Sequence, residues 1–108
     1  MHNDVYVNTV VSRVQSVQIT IFGGKKVGAK KIYFDQGSSI TITEEMHQAI
    51  QNDSGREHLK GLDAKLTFLT SSPGAPLKPY EIQIGCIRGF GLPLRELKNF
   101  GKFEKVRR

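Results

Sequence analysis

Tryptophan is absent from this chain, and cysteine occurs once, as Cys86. A single thiol excludes an internal disulfide and any four-cysteine metal site, and it fits a reducing compartment. No stretch approaches the roughly 20 apolar residues that a membrane-crossing helix needs. Asp4, Asn8 and Arg13 interrupt the early apolar side chains, so no signal peptide is expected and a cytoplasmic location follows. Internal repeats and low-complexity runs are missing. Catalytic signatures are missing too. No Ser-His-Asp or Cys-His arrangement has a readable spacing, and Gly89 and Gly91 are not part of a G-x-G-x-x-G fingerprint. His47 follows Glu44 by three residues, but no second E-x-x-H element completes a carboxylate-bridged metal site. No enzymatic activity, metal or cofactor is expected.

What remains is an ordinary globular composition, 38% hydrophobic and 24% charged over 108 residues. That is one domain, long enough for a core without staples. Its charge is unevenly placed. Residues 85–108 carry seven bases and two acids, five of the six net positive charges. A second basic cluster, Lys25, Lys26, Lys30 and Lys31, surrounds Gly23, Gly24 and Gly28 with no acid between Gly23 and Phe34. The intervening segment 35–84 has four bases and seven acids. Two basic regions beside a mildly acidic middle suggest a polyanionic partner.

Period-2 alternation predicts strands. Val5 and Val7 form one, and Val17, Ile19 and Ile21 form another after a break near Ser12–Gln15. Lys30–Asp35 turns Ile32 and Phe34 to one face. Ile40 and Ile42 mark a short strand over Ser39–Thr43, and Ala64, Leu66 and Phe68 mark a fifth. The sixth carries Tyr80, Ile82, Ile84 and Cys86, which makes Cys86 a buried, inert thiol. Gly23–Ala29 reads as a lysine-bearing loop. A helix over Thr43–Asn52 is expected, with the Thr43 hydroxyl capping it, Glu44 and Glu45 in its first turn, and Met46, Ala49 and Ile50 at helical spacing. Ser54-Gly55-Arg56-Glu57 matches a capping box, so a second short turn to Lys60 is expected. Three of the four prolines crowd into Ser71–Pro79, a surface loop. Pro93 to Gly101 suits another short helix, followed by a flexible basic tail over roughly 102–108. The fold class is α+β: a curved, mostly antiparallel sheet or pseudo-barrel with one or two short helices.

Two segments are candidate polyanion contacts. The lysine cluster can follow a phosphate backbone, although lysines also protect sheet edges. Gly85–Pro93 carries Arg88 and Phe90 on a glycine-flanked turn. Arg88 can bind phosphate and Phe90 can stack on a base, unless Phe90 plugs the core. Arg95, Lys98 and Lys102 extend the basic surface toward Phe100 and Phe103.

The lysine hairpin, the mid-chain helix, the strand into Gly85–Pro93 and the basic C-terminus together resemble a small PUA-type pseudo-barrel. Within that group the chain is similar in size and make-up to the PrgU-type proteins of pheromone-responsive conjugative plasmids. The resemblance implies a PUA-like RNA binder that restrains expression of surface-adhesin or conjugation genes. It carries no motif that transfers a functional residue. The expected function is therefore a small cytoplasmic RNA-binding regulator. The alternative is an adaptor for an acidic protein or an anionic membrane surface.

Overall fold

Strand β1, Asn3–Thr20, is the spine of the molecule, and its two halves serve different partners. In the computed structural model, which describes residues 3–70, 78–92 and 101–107, Asn3–Val10 pair with β4 (Asp63–Thr70) and Val11–Thr20 pair with β2 (Lys26–Phe34). The expected break near Ser12–Gln15 is an irregularity in register between Val11 and Arg13, not an interruption. Such a bulge shifts the alternation by one residue. Val7 and Val11 face the core ahead of it, and Val14 does so after it. A polar stretch that reads as a break is thus the point where one strand passes between two partners.

The β1–β2 connection is tighter than expected. A short 3-10 turn at Phe22–Gly24 suffices, and Lys26 already belongs to β2. Next comes β3, Ser39–Thr43, antiparallel to β2. Helix α1, Glu44–Ser54, starts where expected: the Thr43 Oγ1 accepts from the Met46 N–H at 3.1 Å. Gly55, at φ 68°, caps its end. A residue in that left-handed conformation stops a helix, so the capping box at Ser54–Glu57 starts no second one. Residues 56–62 form an irregular connection that buries Leu59.

The second half is a meander. Strand β5, Pro79–Ile84, pairs with β4, and β6, Ile87–Phe90, pairs with β5. Gly85 and Cys86 are the hairpin turn between them, so Cys86 is half-buried in a turn instead of lying on the inward side of a strand. Its N–H donates to the Asp53 carboxylate at 3.0 Å, which ties this turn to the end of α1. A last strand, β7 (Phe103–Lys105), pairs with β6 inside the segment expected as a basic tail. Of the helix expected from Pro93 to Gly101, residues 93–100 lie outside the described residues.

The result is a seven-stranded antiparallel sheet in the order β3-β2-β1-β4-β5-β6-β7, with one helix among the described residues. The α+β class holds. The sheet curls until the chain beyond β6 reaches the β3 edge, where the Leu92 N–H donates to the Thr41 carbonyl at 2.6 Å. Among the described residues one bridge, not a ladder, joins them, and the sheet is not closed. The core fills the concave side: Ile32 and Phe34 from β2, Ile40 and Ile42 from β3, Leu66 and Phe68 from β4, and Ile82 and Ile84 from β5, with Met46 and Ile50 of α1 packed into them.

Candidate nucleic-acid interface

The four clustered lysines do not act from one flexible loop. Lys25 and Lys26 stand exposed at the hairpin tip. Lys30 and Lys31 lie in mid-strand, paired with Ser16 and Gln15 of β1, and consecutive strand residues face opposite sides. Lys30 turns to the α1 side, where its ammonium donates to the Ser16 hydroxyl at 2.7 Å. Lys31 turns to the outer side, its ammonium 5.2 Å from the centre of the Tyr33 ring. The Arg13 guanidinium covers the same ring at 3.8 Å, and the Tyr33 hydroxyl donates to Gln15 at 2.9 Å. Cation–π contact of this kind orients basic groups without neutralising them.

Lys31 also lines a groove of about 640 Å³ along the seam where the β3 edge meets the chain beyond β6. Its other described walls include Lys78, Tyr80, Ser38, Ser39 and Gly91, with no carboxylate among them. The seam is narrow there: a methyl group on Gly91 would sit 2.6 Å from the Ile40 side chain. The Tyr80 ring stacks on Phe90 with centroids 6.4 Å apart and planes 20° from parallel. Its hydroxyl donates to the Asp4 carboxylate at 2.9 Å. Burial, then that hydrogen bond, then the Asp4 charge push the Tyr80 phenol up to about 12, so it remains a neutral donor at physiological pH.

Phe90 is half-buried, outside the core cluster, on the outer side of β6 with Arg88. The inward position is taken by Gly89, and no core plug is formed. Both residues sit on a strand, not on the glycine-flanked turn expected for them. Arg88 is engaged already: its guanidinium donates to Glu104 across the β6–β7 ladder at 2.5 Å, a contact that raises its pKa. Lys102 is exposed and lines a smaller hollow with Phe90 and Phe103, where Glu81 and Glu104 balance Arg88 and Lys102. Arg95 and Lys98 lie outside the described residues.

Sequence reasoning missed Lys78 and Tyr80. Alternation assigned Tyr80 to the core with Ile82 and Ile84, but a register shift where Phe68 meets Pro79 removes it from that row. A proline at a strand start was the available signal. Tyr6, 59% exposed beneath the Lys65 ammonium, was also overlooked on the outer side. Among the described residues, no three His, Cys, Asp or Glu side chains gather as a metal ion would require, and no helix is long and apolar enough to cross a membrane. Comparison with protein-family models, with curated proteins and with solved structures returned no match.

Proposed function

We propose that this chain is an RNA-binding regulatory protein, a small PUA-like pseudo-barrel that receives single-stranded RNA along the seam groove. The observation that carries this reading is the groove's make-up: Lys31 and Lys78 without a carboxylate among the described walls, beside Tyr80 stacked on Phe90. Phosphates are attracted where positive charge is not cancelled, and unstacked bases are held by aromatic faces. Single strands suit this surface better than duplex. α1 commits Met46 and Ile50 to the core, and a major-groove reader needs an exposed helix carrying base-reading side chains. Regulation in the cytoplasm by occupying RNA, without chemistry, is the role such a binder takes.

Fluorescence anisotropy with a labelled single-stranded RNA tests the proposal. Lys31→Gln combined with Lys78→Gln is expected to weaken binding while the melting temperature stays unchanged. Undiminished binding by that variant overturns the groove as the site. Sedimentation with anionic vesicles, run in parallel, tests the alternative. Vesicle binding without RNA binding makes the basic surface a membrane adaptor.

A further inference from the structure

On the side of the sheet opposite Lys31 lies a second cleft, about 580 Å³ in volume, between β1, β2, α1 and the 56–62 connection. Ser16, Lys30, His47, Gln51, His58 and Lys60 line it, over an apolar floor of Val14 and Leu59. One carboxylate, Glu57, is among its walls. Arg13 borders it as well, its guanidinium lying over the Tyr33 ring.

The chemistry of these walls is that of hydrogen-bond donors. Lys30 offers an ammonium that forms no ion pair among the described residues. Because the Ser16 oxygen accepts from Lys30, the Ser16 O–H remains free to donate outward. One N–H of the Gln51 amide is used on the Glu57 carbonyl at 2.8 Å, leaving the other. Two imidazoles and the Lys60 ammonium complete the set. A cleft of this volume lies in the range that takes a small molecule. We propose that this cleft binds a phosphomonoester, the phosphate held by Lys30, Ser16, His47 and His58. The site is independent of the RNA groove, since β2 sends Lys30 and Lys31 to opposite faces.

His47 supplies the readout. Its burial, and then the nearby Lys30 charge, hold its pKa below 6.5, partly offset by Glu44. An anion in the cleft reverses the Lys30 effect. Ligand must therefore raise the His47 pKa, and protonation must tighten ligand binding by the same factor. A rise of one unit corresponds to about tenfold tighter binding to the protonated form.

Proton NMR of the His47 and His58 rings, titrated from roughly pH 5 to 8, tests this with inorganic phosphate, adenosine 5′-monophosphate and adenosine, at ionic strength matched with chloride. Phosphate and the nucleotide are expected to raise the His47 midpoint saturably and to shift the His58 signals, while adenosine does neither. Lys30→Gln and, separately, His58→Gln are expected to weaken the effect at least severalfold. Lys105→Gln, an equal loss of charge on β7, is expected to leave it intact. No shift beyond the chloride control overturns the proposal. So does a shift that survives both Lys30→Gln and His58→Gln, or equal binding of adenosine. The RNA assay reads Lys31 and Lys78, so either site can fail without the other.

Discussion

At the scale of single residues, Phe90 separates packing from recognition. It lies outside the core and touches Tyr80 in an offset stack. Truncating a buried phenylalanine costs about 3–5 kcal/mol, whereas an aromatic pair adds only about 0.5–1.5 kcal/mol beyond its buried area. Phe90→Ala is therefore expected to lower stability by about 1–2 kcal/mol. It should also weaken RNA binding by about 1–3 kcal/mol, the contribution of one stacked base. Urea unfolding and RNA titration on the same sample read both effects. A loss above about 3 kcal/mol with normal binding would make Phe90 a core residue after all. Two ionisable groups make stability depend on pH in opposite directions. The Tyr80 phenol is raised from 10.0 to about 12 in the folded chain. The fold thus holds that proton more tightly, and this stabilisation, intact below pH 10, is lost as pH rises toward 12. His47 is lowered from 6.5, so the unfolded chain takes up its proton first and stability falls as pH drops below 6.5. Thermal melts across pH check both slopes. Asp4→Asn should bring the late tyrosine ionisation down, followed by ultraviolet absorbance.

At the scale of elements, the close approach of α1 to β6 depends on a missing side chain. A methyl group on Gly89 would lie 2.6 Å from the Phe103 Cβ, 2.8 Å from the Met46 sulfur and 2.9 Å from the Lys102 carbonyl. The sulfur can move, but the backbone carbonyl and the Cβ cannot move without shifting β7. Gly89→Ala is expected to destabilise the chain by about 1–3 kcal/mol through overpacking. Thr43→Ala, which removes the α1 cap, should cost about 1 kcal/mol. Denaturant midpoints measure both. The elements that sequence revealed share one property: their pattern is local. Ile40 and Ile42, or Thr43 ahead of two glutamates and Met46, declare themselves within ten residues. What stayed hidden depends on pairing. The bulge after Val11 exists because β1 changes partners, and the Gly85–Cys86 turn exists because β6 returns along β5. Neither partner is visible from the strand itself, so alternation carried Cys86 inward and split β1 in two.

At the scale of the whole molecule, a cluster that is contiguous in sequence is divided in space. Lys25, Lys26, Lys30 and Lys31 read as one basic loop because charge can be counted along a chain, but the side that each faces is set by pleat and register. The seam groove joins Lys31 with Lys78 and Tyr80, nearly fifty residues away, through curvature that no local pattern encodes. Lys31 was legible as a basic candidate; Lys78 and the groove's location were not. The division yields a quantitative expectation. Each phosphate neutralised on a single strand contributes about 0.7 to the slope of log affinity against log salt. Lys31→Gln with Lys78→Gln should flatten that slope by about 1.4. Lys30→Gln with Lys60→Gln removes the same charge from the opposite cleft and should leave the slope near that of the unmodified chain. Anisotropy titrations between low and physiological salt compare the pairs directly. Equal flattening would mean that RNA senses only the net charge of +6, and the groove would lose its claim. A larger effect from Lys25→Gln with Lys26→Gln would move the strand to the hairpin tip. Flattening confined to the Lys31 and Lys78 pair would locate the phosphates in the seam, where the curled sheet brings the β3 edge against the chain beyond β6.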